Sequence, residues 1–303
     1  MSNLITKLKC VTPAIVTPLK RDGSIDEQGL KNVVRYVTKR GMKTLFILGY
    51  CGEGRAFDRA QRKRVIEITR ETASDDIMII AGAMADSTDL IVNYCDDAYN
   101  AGADMALATP TDFFYLTDEE LEGLFVQLND RIKLPLMIYN CPENHHYISP
   151  GIMARLSRLP NIMALKQTSN ADQLQEMQMA LEPETDFIML SGNEHIFYPA
   201  MCLGVEGFIM GGPGNFSPQE CVDLFEDYKK GELESVRSRY FKMNAFWKDL
   251  YQSLPYPMAM PQIKAVMEIA GVCERWVHSP VKSVTDDDMK VIEALLKKHS
   301  VNV

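Results

Sequence analysis

Eight short apolar runs, several rich in β-branched residues, punctuate the chain, and each is followed by a longer amphipathic stretch. The runs cover residues 11–16, 44–48, 77–81, 105–109, 135–139, 163–166, 187–190 and 207–210. Apolar runs this short read as buried strands, and strands that alternate with helical stretches pair in parallel. Helices are expected to begin near Asp26, Asp58, Ser87, Thr117, Ser149, Asn170, Glu194 and Ser217. Two of these starts carry full capping chemistry. In Thr117-Asp118-Glu119-Glu120 a hydroxyl is followed three residues on by a carboxylate. Ser217-Pro218-Gln219-Glu220 repeats the spacing with proline at the first helical position. Eight such units predict an α/β fold, specifically a (β/α)8 TIM barrel. An open doubly wound sheet would instead call for a glycine-rich nucleotide turn after the first strand. The residues there, Thr17-Pro18-Leu19-Lys20-Arg21-Asp22-Gly23, make no such turn, and the glycines between 204 and 214 lack dinucleotide spacing.

The strand signal stops near Gly231. Residues 232–252, 261–271 and 285–298 read as helices, broken by Leu254-Pro255-Tyr256-Pro257. A barrel does not need this tail, and no flexible linker precedes it. The expected division is a barrel over 1–230 and a C-terminal helical extension over 231–303 packed on it, one structural domain overall. With 303 residues and 46% of them hydrophobic, the chain can bury a core without a disulfide or metal staple. Its seven cysteines are scattered with no CxxC pair, so no metal site is expected. A net charge of -9 argues against non-specific binding to nucleic acid or anionic membrane. It leaves room for an anionic small molecule held by a local field. No run approaches the ~20 apolar residues of a membrane span, and the first ten residues lack a signal peptide's apolar stretch. A soluble, cytoplasmic protein is the expectation.

A barrel concentrates its chemistry at the C-terminal ends of its strands. Lys166 closes the sixth run, where desolvation would lower its pKa and free the amine to attack a ketone. Position alone equally allows a lysine whose tip reaches solvent. Tyr139 closes the fifth run, which places a phenol on the neighbouring strand, able to move protons or simply to pack. After the second run, Gly49-Tyr50-Cys51-Gly52-Glu53-Gly54 offers closely spaced glycines whose amides can approach a carboxylate.

In this order and spacing, these features resemble the dihydrodipicolinate synthase / N-acetylneuraminate lyase family of pyruvate-dependent class I aldolases. The resemblance runs from Thr12-Pro13-Ala14-Ile15-Val16-Thr17-Pro18 through the G-x-x-G-E loop at 49–53 and Thr109-Pro110. It continues in Tyr139-Asn140-Cys141-Pro142 and Ala164-Leu165-Lys166-Gln167-Thr168-Ser169. The resemblance implies a homotetrameric barrel with no metal or organic cofactor. It implies Lys166 as the Schiff-base former, Tyr139 as proton donor and acceptor, and Ile209 packed against the bound keto acid.

This chain departs from the family at several places. The two loop residues that are usually hydroxylic are Tyr50 and Cys51. Tyr50 becomes the candidate relay hydroxyl, and carboxylate binding would lean on backbone amides near Cys51 and Gly52. Thr111-Asp112-Phe113-Phe114-Tyr115 has one extra residue where aromatics of the family reach a neighbouring subunit, which makes Tyr115 a candidate only in a shifted register. The arginine that marks the synthases is replaced by Asn144, which cannot form a bidentate carboxylate clamp. The acidic pair with which sialic acid lyases hold a sugar tail becomes Glu194 and His195, after Gly192, and a strand-eight serine becomes Gly211. The second substrate would contact Tyr50, Asn144, Thr168, Glu194 and His195. The missing arginine and the lysine neighbourhood Leu165-Lys166-Gln167-Thr168-Ser169, which resembles that of the sialic acid lyases, favour an N-acetylneuraminate lyase-like enzyme that handles pyruvate or a pyruvate-releasing sugar acid, while the altered pair and Gly211 change the grip on a sugar tail. The alternatives are a dihydrodipicolinate synthase, a keto-sugar-acid dehydratase using the same imine, and a non-catalytic barrel that binds a keto acid. His145-His146 reads as a pocket rim, not a metal site. Arg55 is expected to pair with Glu53, Asp58 or an anionic substrate, and Lys248, Lys264, Lys297 and Lys298 are expected in solvent.

Overall fold

The computed structural model describes residues 2–111, 113–141, 146–181 and 187–303. All eight expected strands form: β1 (Val11–Pro13), β2 (Thr44–Ile47), β3 (Met78–Gly82), β4 (Met105–Ala108), β5 (Leu136–Asn140), β6 (Ile162–Gln167), β7 (Ile188–Ser191) and β8 (Gly207–Met210). They pair in parallel in the order β1-β8-β7-β6-β5-β4-β3-β2. Ala14 bridges Phe46, and the Ile15 N–H donates to the Phe46 carbonyl at 2.9 Å, which brings β1 against β2 and completes the ring. Every strand residue is buried, which is why the runs are continuously apolar instead of alternating.

A short helix α1 (Ser2–Leu8) precedes the barrel. Around it lie α2 (Glu27–Lys39), α3 (Arg59–Thr72), α4 (Thr88–Asn100), α5 (Asp118–Arg131), α6 (Pro150–Leu156), α7 (Ala171–Ala180) and α8 (Phe197–Cys202). Asp26, Asp58, Ser87, Thr117, Ser149 and Asn170 each cap the helix they were expected to start, with a side-chain oxygen accepting from the backbone three residues on. Each such cap is worth about 1 kcal/mol. Thr117 and Glu120 close a reciprocal capping box, and Asp58 with Gln61 closes a second.

Two starts differ from expectation. Glu194 opens a single 3-10 turn, Glu194–Ile196, and α8 follows it. Ser217 makes no capping bond, because it also ends an unanticipated helix α9 (Gly212–Phe216) and its N–H donates to the Pro213 carbonyl at 2.8 Å. The helix it precedes is α10 (Pro218–Lys229). Inside α9 the buried Asn215 accepts from the Val16 N–H (3.0 Å) and donates to the Ala14 carbonyl (2.8 Å), stitching the glycine-rich stretch to the end of β1.

The tail forms α11 (Leu233–Gln252), α12 (Ala259–Ile269) and α13 (Asp286–Lys298). Helix α11 lies along α10, α8 and α13 and buries Val236, Met243, Phe246, Trp247 and Leu250. Helix α12 is enclosed on all sides, with residues 260–267 consecutively buried. That enclosure corrects the expectation for Lys264. Its side chain is wholly buried, ion-paired with Glu53, and donates to the Trp276 carbonyl at 2.8 Å. Lys248, Lys297 and Lys298 are exposed. No helix among the described residues is long and apolar enough to cross a membrane.

Candidate active site

Strand register sets the centre of the site. β5 pairs with β6 so that Tyr139 stands directly opposite Lys166. The Lys166 Nζ lies 3.9 Å from the centre of the Tyr139 ring and 5.3 Å from that of Phe46. Lys166 is buried, and among the described residues nothing hydrogen-bonds its amine. Burial drives its pKa below the usual lysine range, against weaker opposition from Cys51, Cys141 and Glu194. Burial also holds the Tyr139 phenol well above its ordinary range, with Cys141 adding to the effect and the nearby Thr168 hydroxyl opposing it. At neutral pH the phenol therefore carries its proton. Gly192 gives the amine its room: a Cβ there would come within 2.7 Å of Lys166 Cε and 2.1 Å of Thr168 Oγ1. The adjacent Asn140 has a structural task. It exchanges hydrogen bonds with the Ile148 backbone at 2.9 and 3.0 Å and donates to Gln167 Oε1 at 3.0 Å, pinning the loop after β5 to β6.

The loop after β2 is shaped by its backbone. Leu48 and Glu53 adopt left-handed conformations at φ 56° and 53°. The Leu48 carbonyl is wedged between Gly54 and Gly82, where a Cβ would approach it to 2.0 and 2.4 Å. The buried Arg62 guanidinium donates to the carbonyls of both glycines. Thr17 donates to the Gly52 carbonyl at 2.8 Å, holding the middle of the loop. Cys51 is buried, and its thiol is pushed up to about 12 by burial and by the Glu194 carboxylate, so it stays protonated. Tyr50 is half-exposed, and burial raises its phenol. Tyr50 and Tyr139 line one cavity of about 390 Å³, with Thr109, Met260 and His278. Arg55 pairs with Asp86 at 2.8 Å, not with the two expected carboxylates. Those are committed elsewhere: Glu53 accepts from Lys264 and from the His278 N–H (2.7 Å), and Asp58 caps α3.

The expected substrate contacts separate into two groups. Thr168, Gly192 and Glu194 follow β6 and β7 close to Lys166, and Ile209 lies within β8. Glu194 Oε1 accepts from Trp247 Nε1 (3.1 Å) and the Gly212 N–H (3.4 Å), and its charge reaches Lys166 and Cys51. His195 points elsewhere. It is exposed, pairs with Asn244 at 3.3 Å, and belongs to an outer groove on α11. The two replacements at Cys51 and Gly211 form one steric unit, since a Cβ on Gly211 would lie 2.9 Å from the Cys51 sulfur. Asn144 and His145 lie outside the described residues. His146 hydrogen-bonds the Phe114 carbonyl, and Phe113, Phe114 and Tyr115 are largely exposed, with Tyr115 at 86%. Sequence reasoning missed Trp247, Tyr251 and the Glu53–Lys264–His278 cluster. The i, i+4 spacing of Trp247 and Tyr251 is visible in the sequence, but the surface they pack on is not.

Comparison with known proteins agrees with this fold. The family model "Dihydrodipicolinate synthetase family" matches residues 7–299. The 4-hydroxy-tetrahydrodipicolinate synthase of Hyphomonas neptunium is 32% identical over 295 residues, 96% of this chain and 98% of that one. Its counterpart in Methanothrix thermoacetophila is 25% identical over 292 residues, 96% of each. Among solved structures, the dihydrodipicolinate synthase of Bacteroides thetaiotaomicron superposes with a TM-score of 0.91 at 26% identity, covering 96% of this chain and 98% of that one. A monomeric dihydrodipicolinate synthase variant gives 0.90 at 25% identity, covering 98% and 99%. A barrel of this topology matched end to end leaves one assignment: the chain belongs to the dihydrodipicolinate synthetase family, whose members are Schiff-base class I aldolases and lyases.

Proposed function

We propose that Lys166 condenses with the ketone of a 2-keto acid, pyruvate in the simplest case, and that this imine is the centre of an aldolase or lyase reaction. The amine attacks C2, water leaves, and a protonated imine forms. Loss of a C3 proton gives the enamine. The enamine bonds to an aldehyde carbon whose oxygen takes up a proton, and water then releases the product. The reverse sequence cleaves the same bond. Tyr139 is assigned the proton transfers, and Tyr50, on the same cavity, can pass protons outward. Amides near Cys51 and Gly52 would hold the keto-acid carboxylate, with Ile209 and Thr168 as walls. The observation that carries this reading is a buried amine beside two aromatic rings, with no hydrogen-bond acceptor among the described residues, and a phenol that keeps its proton on the adjacent strand. Borohydride reduction in the presence of pyruvate, followed by peptide mass spectrometry, tests it. The expected adduct is on Lys166; no adduct with any of several keto acids would leave only the keto-acid-binding barrel.

For the second reactant, the names of the relatives support the synthase reading over the lyase reading that the sequence first suggested. In that reading the imine condenses with aspartate semialdehyde. One observation favours a second reading, cleavage of a hydroxylated keto acid: the Glu194 carboxylate stands at the mouth, where it repels another carboxylate and accepts from a hydroxyl. A dehydratase would use the same imine and part from both at the enamine. Pyruvate consumption with aspartate semialdehyde, set against pyruvate release from a panel of sugar acids, separates them. A homotetramer in the cytoplasm accompanies this reading, and sedimentation velocity tests the assembly.

A further inference from the structure

The C-terminal extension reaches the mouth of the barrel through one helix. Gly212 has no Cβ because the Trp247 ring occupies that space, with a built Cβ falling 1.4 Å from the indole. This seat fixes α11 over the site, and Trp247 Nε1 donates to Glu194 at 3.1 Å. One turn further along α11, the Tyr251 ring packs on Trp247, with centroids 4.2 Å apart. One edge of Tyr251 faces the outer groove beside His195, while its hydroxyl is buried and hydrogen-bonds no protein atom among the described residues. The charged and polar neighbours felt by that hydroxyl are Glu194, Cys51 and Tyr50, all members of the site around Lys166. A buried hydroxyl without a partner is costly, and a ligand that completes it recovers that cost.

We infer that Tyr251 is a substrate-recognition residue, its hydroxyl hydrogen-bonding a hydroxyl of the aldehyde-side reactant at the barrel mouth. The inference rests on the Schiff-base reading of Lys166 and names the substrate class at that site. The class is an uncharged, hydroxylated tail. Such a hydroxyl can accept from Tyr251 and donate to Glu194, whose negative charge disfavours an anionic tail there. The extension thereby chooses the second reactant, while the barrel strands run the imine chemistry.

The test compares the wild type with Tyr251→Phe in three measurements. Borohydride trapping of pyruvate on Lys166 is expected to be equal in the two. For condensation with pyruvate, KM for glyceraldehyde is expected to rise roughly tenfold in the variant, the size of one lost hydrogen bond, with kcat little changed. KM for propionaldehyde, which lacks the hydroxyls, is expected to stay the same. The melting temperature is expected to hold or rise, since phenylalanine keeps the ring and removes an unpartnered group. Equal effects on both aldehydes, no effect on either, or a fall in melting temperature would overturn the inference alone. No trapping by the wild type would overturn the Schiff-base reading and this inference with it.

Discussion

Among the described residues two lysines are buried, and they are treated in opposite ways. Lys264 lies inside α12 with a carboxylate, Glu53, and a carbonyl, that of Trp276, on its amine. Lys166 lies at the end of β6 with two aromatic rings beside it and no acceptor among the described residues. Burial pushes both below the usual lysine range, but at Lys264 the Glu53 charge and hydrogen bond oppose it first, whereas Lys166 has only the more distant Cys51, Cys141 and Glu194. Burial alone therefore does not make a lysine reactive. The absence of a dedicated counter-ion distinguishes Lys166, because no acceptor among the described residues helps hold the proton on its amine, which gives it up to attack a carbonyl more readily.

The contrast is broken most directly at Lys166. In Lys166→Met, turnover should fall at least about 10³-fold, the order seen when a covalent nucleophile is removed, and the borohydride adduct should vanish. Melting temperature should not fall, since the variant removes an unpaired buried amine. An adduct persisting on another lysine would exchange the roles assigned to the two. In Lys264→Met the effect should move to stability, with a loss of about 3–5 kcal/mol as Glu53 is left buried with one partner fewer. Denaturant titration measures it. The double variant Glu53→Gln/Lys264→Met should recover part of that loss; no recovery would mean that Lys264 acts through packing alone.

A third prediction concerns pH. The unfolded chain keeps the Lys166 proton up to about pH 10.4, while the folded chain releases it lower. In that window the unfolded state binds more protons, so this group makes stability rise with pH, and its penalty is complete below the folded pKa. The rate of imine capture by excess pyruvate should rise with pH to a midpoint below 10.4, as stopped-flow or quenched trapping would report. The smallest effect is expected from Glu194→Gln. Glu194 supports the ammonium, so its removal should move that midpoint further down. A midpoint that moves up would separate Glu194 from the amine.

The fold was legible because its signals are local. Six of the eight helix starts are marked by a capping side chain three residues from the amide it serves, and the strands by uninterrupted apolar runs. Lys166 and Tyr139 were legible for a related reason, since both close a run and adjacent strands bring them together. What stayed hidden depends on distant pairing. Glu53 meets Lys264 and His278 across more than 200 residues, and nothing near Lys264 distinguishes it from a solvated lysine until α12 is enclosed. Glu194 and His195 are neighbours in sequence, yet the tight turn they open sends one toward Lys166 and the other to the outer groove. Ser217 failed as a cap because its backbone already served the preceding helix.

The wedge of the Leu48 carbonyl between Gly54 and Gly82, clamped by Arg62, bears on how such a site can diverge. These residues set the loop's path, and among the described residues the side chains of Tyr50 and Cys51 make no hydrogen bond that holds it. The loop acts as a socket with two interchangeable inserts, so new side chains at 50 and 51 can be tried without redrawing the backbone. Position 211 carries one condition: it can gain a side chain only if 51 gives way, because the Cys51 sulfur already fills the space of that glycine's missing Cβ. Grafting a threonine at 50 is then a single step, whereas adding a side chain at 211 is a two-site exchange.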